Sequence, residues 1–96
     1  MLHVMAVLRF KPGSSVDPSV NNALTRLALE SRNEPGCIRY EVFRRANEDI
    51  FVTQEIWVDK TSLDAHMAGP NVGAAVASVG HLLAASPEIH HYSRLI

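Results

Sequence analysis

The chain predicts an α+β domain in which strand, helix, strand, strand, helix pair and strand follow one another. Two adjacent stretches carry apolar residues in period two, apolar residues recur at helical spacing before and after them, and proline- or glycine-marked breaks separate the segments. With 96 residues, 47% of them hydrophobic and 20% charged, the length and composition suit one globular domain over residues 1–96.

The first strand covers residues 2–10. Leu2, Val4, Ala6, Leu8 and Phe10 line one side while Met5 and Val7 lie on the other, so both faces are expected to be covered. Lys11-Pro12-Gly13 ends it, and Asp17-Pro18 supplies an N-cap followed by proline at the first helical position. Val20, Leu24, Leu27 and Ser31 continue at helical spacing until Asn33-Glu34-Pro35-Gly36 stops the helix. Residues 38–45 alternate Ile38, Tyr40 and Val42 against Arg39, Glu41 and Phe43. After a turn at 46–49, residues 50–58 place Ile50, Val52, Ile56 and Val58 on one face and Phe51, Thr53, Glu55 and Trp57 on the other.

Thr61-Ser62-Leu63-Asp64 resembles a capping box opening a short helix in which Leu63, His66 and Met67 share a face. Gly69-Pro70 breaks it, and a second helix carries Val72, Ala75, Val76, Val79, Leu82 and Leu83 on one stripe as far as Ser86-Pro87. Residues 89–96 read as the last strand. This order is the split βαββαβ, or ferredoxin-like, arrangement: an antiparallel four-stranded sheet with helices on one face. The first and third strands are apolar on both sides, so the face without helices is expected to be covered by a second copy. That predicts a homodimer through the sheet face, a dimeric α+β barrel.

A net charge of −1 provides no field to gather nucleic acid or anionic lipid. The single cysteine, Cys37, rules out an internal disulfide framework and a multi-cysteine zinc site. The start of the chain has no secretory-signal pattern, and the uncharged run at 65–87 is broken by Pro70, Asn71, Ser78 and His81, so neither secretion nor a membrane span is expected and the protein reads as cytoplasmic. His90 and His91 are strand neighbours that point to opposite faces, and His3 and His81 lack partners at ligand spacing, so no metal site is expected. The glycines are too scattered for a phosphate loop, and no Ser/His/Asp or Cys/His motif has local context.

Glu34-Pro35-Gly36-Cys37-Ile38-Arg39-Tyr40, Phe51-Val52-Thr53-Gln54-Glu55-Ile56-Trp57 and Leu63-Asp64-Ala65-His66-Met67-Ala68-Gly69-Pro70 together resemble the antibiotic biosynthesis monooxygenase family. The resemblance implies a dimeric α+β barrel and, often, a cofactor-independent monooxygenase acting with dioxygen on phenols or quinols. The haem-degrading branch needs a histidine and an asparagine where Val76 and Ala6 stand, so haem degradation is not expected. Thr53 replaces an asparagine of the polyketide-quinone-forming branch, while Trp57 is kept. The short-helix His66 is most similar to the quinol monooxygenase and autoinducer-isomerase branches.

Oxygenation without metal or flavin requires a substrate that can itself reduce dioxygen, in practice an ionised phenol or enol. A phenol titrates near pKa 10 and an imidazole near about 6.5, so a histidine base succeeds only if the site also stabilises the phenolate. His66 is the candidate base; the alternative is a solvent-facing helix histidine. Thr53, Glu55 and Trp57 project from one face of a strand, where a planar aromatic could stack. Trp57 would be a catalytic-site wall or simply core, and Glu55 a second acceptor or base, or else a buried carboxylate paired with Arg39. Phe51, Leu63, Met67, Val72, Val76 and Leu83 would complete an apolar substrate-binding lining that keeps out water. The same proton-transfer groups would also serve an isomerase of a small carbonyl compound, and the same barrel a non-catalytic ligand-binding or stress-related protein.

Overall fold

The computed structural model describes residues 1–96. Its strands are β1 (Leu2–Arg9), β2 (Cys37–Arg44), β3 (Ile50–Trp57) and β4 (Glu88–Tyr92), and its helices are α1 (Pro18–Ser31), α2 (Lys60–Met67) and α3 (Pro70–Val79). The sheet is antiparallel throughout in the order β2-β3-β1-β4, the ferredoxin-like topology. No helix is long and apolar enough to cross a membrane.

Local chemistry explains each helix start. Asp17 accepts hydrogen bonds from the Ser19 amide at 2.9 Å and hydroxyl at 2.8 Å, with Pro18 at the first position of α1. The cap of α2 is Asp59, whose carboxylate accepts from the Ser62 amide at 2.8 Å, so this helix opens before the Thr61 expected from sequence. The tripeptide Asp59-Lys60-Thr61 places the carboxylate one turn below the third helical amide, which is the donor a capping side chain needs. One face of α1 buries Val20, Leu24, Leu27, Ala28 and Ser31 against the sheet. There the first four join Val4, Phe10, Tyr40, Phe51, Trp57, Leu63 and Val79 in one core.

Three further expectations need correction. Ile38 is an extra residue: Cys37 pairs with Trp57 and Arg39 with Ile56, so a bulge turns Ile38 outward and aligns Cys37 with the side of Tyr40 and Val42. The stripe of the last helix stops at Val79; Leu82 lies in a short 3-10 turn, and Leu83 is extended and bridged to Phe10. The Lys11 amide on the Leu82 carbonyl and the Ala84 amide on the Arg9 carbonyl, both at 2.8 Å, draw this segment to the end of β1. Finally, β4 ends at Tyr92 and not at Ile96, because Tyr92 pairs with His3 and β1 extends only one residue further.

All helices cover the side of the sheet that carries Val4, Ala6, Thr53, Glu55 and Trp57. The other side presents Met5, Val7, Val52 and Ile56 half-buried and Phe43 and Tyr92 exposed, with no element of the chain over it.

Candidate functional site

Period-two alternation on β3 sends Thr53, Glu55 and Trp57 toward the helices, and all three are buried. The Ala6 amide donates to Thr53 Oγ1 at 3.0 Å, and that hydroxyl donates to Glu55 Oε2 at 2.6 Å. The Trp57 indole N–H donates to Glu55 Oε1 at 2.9 Å. Both oxygens of the Glu55 carboxyl group are therefore held as acceptors by their own strand. Arg39, the cation the sequence offered as a partner for Glu55, lies on the opposite face and pairs with Glu41.

His66 is 2% exposed, carried on the inner face of α2 beside Leu63. Its ring lies 4.6 Å from the Trp57 ring and 5.3 Å from the Tyr40 ring, centroid to centroid. Nδ1 stands 3.0 and 3.1 Å from the two carboxylate oxygens of Glu34, whose Oε2 also accepts from Asn71 Nδ2 at 2.8 Å. A carboxylate only accepts, so Nδ1 carries the proton and the neutral ring keeps its lone pair on Nε2. Ser31 Oγ is the only fully enclosed side-chain polar atom that lacks a partner, so the unpartnered Nε2 remains reachable from the cavity that His66 lines.

That cavity, about 120 Å³, lies between the sheet and the helices. Its polar groups are Tyr40, Thr53, Glu55 and His66; the rest is apolar and includes Met67, Val72, Val76 and Leu83 from the expected lining. Trp57, Leu63 and Phe51 do not reach it. Trp57 is fully buried behind His66 and Glu55, Leu63 packs into the core, and Phe51 meets Phe10 edge-on at 5.6 Å. Burial pushes the Tyr40 phenol well above the ordinary tyrosine value, and the negative charges of Glu55 and Glu34 push it further, so it stays a hydrogen-bond donor. No three His, Cys, Asp or Glu side chains gather in the geometry of a metal site.

Sequence reasoning missed Glu34, Asn71 and Tyr40 as members of the site. Glu34 read as part of a helix stop and Tyr40 as one of the alternating residues of a strand, and the Glu34–His66 contact joins residues 32 apart, which no local spacing encodes. The glutamate's place just before Pro35-Gly36 was the one available signal. That turn lies against α2, since the Val58 amide, just before α2, donates to the Gly36 carbonyl at 2.8 Å.

Fold and site together define a small ferredoxin-like α+β protein with a half-open, largely apolar cavity that holds acid–base groups at one end. Residues 1–78 match the antibiotic biosynthesis monooxygenase family, and the chain belongs to it. A curated relative, an uncharacterized protein of Synechocystis sp., is 38% identical over 72 residues; the match takes in 73% of this chain and 49% of the relative, so the chain spans about half its length. Among solved structures, a candidate antibiotic biosynthesis monooxygenase from Nitrosomonas europaea superposes with a TM-score of 0.89 over 100% of both chains at 18% identity, a likeness of fold alone. A conserved protein from Methanosarcina mazei Go1 is 28% identical with a TM-score of 0.84, over 97% of this chain and 91% of that one. A candidate monooxygenase of the same name from Caulobacter crescentus CB15 is 25% identical with a TM-score of 0.85, over 99% and 90%.

Proposed function

We propose that this protein is a cytoplasmic, cofactor-independent monooxygenase that oxidises a small phenolic or quinol-type aromatic with dioxygen. The observation that carries the reading is a buried histidine whose Nδ1 is fixed by Glu34 and whose free Nε2 serves the polar end of a largely apolar cavity. Nε2 takes the substrate hydroxyl proton while Glu34 stabilises the resulting imidazolium. Tyr40, held as a phenol, donates a hydrogen bond to the phenolate, which supplies the stabilisation that an imidazole base requires. The electron-rich phenolate reduces dioxygen, and the two combine at a ring carbon to a peroxide anion that takes the proton back from the His66 imidazolium and becomes a ring hydroperoxide. Loss of water leaves a quinone, so one oxygen atom enters the ring and the other departs as water. The apolar lining keeps bulk water from the peroxide. Trp57 is a positioning residue, packed against His66 and bonded to Glu55.

Dioxygen uptake with a panel of hydroquinones and naphthols tests the reading. Uptake above autoxidation that His66→Ala abolishes is expected; uptake equal in both proteins would remove His66 from the mechanism. The His66–Glu34 pair is equally suited to proton transfer in an isomerase, and turnover under argon would shift the assignment to that reaction.

The working unit we propose is a homodimer, because the uncovered sheet face carries Met5, Val7, Val52, Ile56 and Phe43. Sedimentation equilibrium at micromolar concentration should give twice the chain mass, and Val52→Lys should reduce it; a wild-type monomer would refute this assembly.

A further inference from the structure

The cavity is polarised from one side of the sheet to the other. Tyr40 on β2 pairs with Glu55 on β3, and with Thr53 and His66 they form its polar end, all buried. The opposite end reaches β4, where Ile89 pairs with Ala6. Ile89, Met67 and Val76 line the cavity and are exposed, so they mark its mouth. A ligand entering there passes an apolar collar before it meets a hydrogen-bonding group.

No lysine or arginine lines the cavity. At the polar end Glu55 presents two acceptor oxygens, already orientated by Thr53 and Trp57, with no cation beside them. A hydroxyl group complements this end: it can donate to Glu55 or to His66 Nε2 and accept from Tyr40. A carboxylate at the other end of such a ligand would lie in the apolar collar, where no lysine, arginine or hydrogen-bond donor offsets its desolvation. At about 120 Å³, and with each water needing roughly 10–15 Å³, the cavity holds the equivalent of roughly ten waters, room for a one-ring aromatic ligand.

Resting on the reading above, we infer that the site takes an uncharged molecule of that size, bound hydroxyl first, and rejects analogues of the same shape that carry a carboxylate at the trailing end.

Two probes of ten non-hydrogen atoms each differ only in the group para to the hydroxyl: 4-isopropylphenol, and 4-hydroxybenzoate, whose carboxylate replaces the isopropyl group. Titration calorimetry at neutral pH, without turnover, should show 4-isopropylphenol binding at least 50-fold more tightly. Val76→Lys, at an exposed position of the mouth, should narrow the ratio at least fivefold by giving the carboxylate a counter-ion. Equal affinity for the two probes, or no binding of either, overturns the inference. Selective binding with no oxygen uptake across the phenol and quinol panel would uphold it and overturn only the monooxygenase reading.

Discussion

Glu55 and Trp57, two positions apart on β3, are joined by a 2.9 Å hydrogen bond from the indole N–H to carboxyl Oε1. The strand's own alternation thereby satisfies a buried acid beside an apolar cavity. Trp57→Phe removes the donor, leaves Oε1 unpaired and empties part of a fully buried site. A loss of about 1–3 kcal/mol is expected from the orphaned acceptor, with a further contribution from lost volume. Urea unfolding checks it; an unchanged midpoint would mean that water replaces the indole without cost.

The Glu34 carboxylate fixes the proton on His66 Nδ1. Glu34→Gln keeps the shape but can also turn an N–H toward the ring, which disfavours the tautomer with a free Nε2. A fall in kcat of roughly 10- to 100-fold with little change in KM is expected, as for other residues that orient a functional histidine. His66→Ala should lose more, roughly 10²- to 10⁴-fold. A Glu34→Gln enzyme with wild-type kcat would show that orientation of the ring contributes nothing.

Tyr40 holds its proton far above the ordinary tyrosine range, first because it is buried and then because Glu55 and Glu34 are near. Below pH of about 10 folded and unfolded chains both keep this proton; above it only the unfolded chain releases it, so stability falls as pH rises, by about 1.4 kcal/mol per pH unit. Tyr40→Phe should be less stable than wild type near neutrality yet lose stability more gently between pH 10 and 11. Thermal melts across that interval decide it, and parallel slopes for the two proteins would contradict the assignment.

Gly36 has φ of +80°, and a Cβ there would collide with Ser62 Oγ and Cβ. Gly36→Ala therefore meets two penalties: about 1–2 kcal/mol for the left-handed backbone, and displacement of α2 or its Ser62 side chain. Adding Ser62→Gly should recover the second penalty and not the first. Since the same turn carries Glu34, turnover should fall further in the single variant than in the pair. Equal melting temperatures for Gly36→Ala and wild type would refute the clash.

The elements were legible because their burial is periodic: Val20, Leu24, Leu27 and Ser31 announce α1, and Phe51, Thr53, Glu55 and Trp57 announce the inner face of β3. His66 emerged from its helical spacing with Leu63. Ile38 was misplaced because a bulge adds one residue without changing composition, and alternation read through it assigns the wrong face. Trp57 looked like a ligand wall because face membership is local, whereas its cover by α2 and the ring of His66 depends on how a helix packs back onto the strand. Glu34 and Asn71 were invisible for the same reason: both meet His66 or each other only after distant segments dock.

That distance bears on the order of assembly. Residues 34 and 66 close a loop that contains the whole β2–β3 hairpin, so zipping of the hairpin and folding back of α2 shorten the loop that their contact must close. Opening runs in reverse: α2 is a two-turn helix, and its detachment parts the histidine from its carboxylate while every sheet ladder stays intact. On gradual heating, activity should therefore disappear before the β-sheet signal in circular dichroism begins to fall.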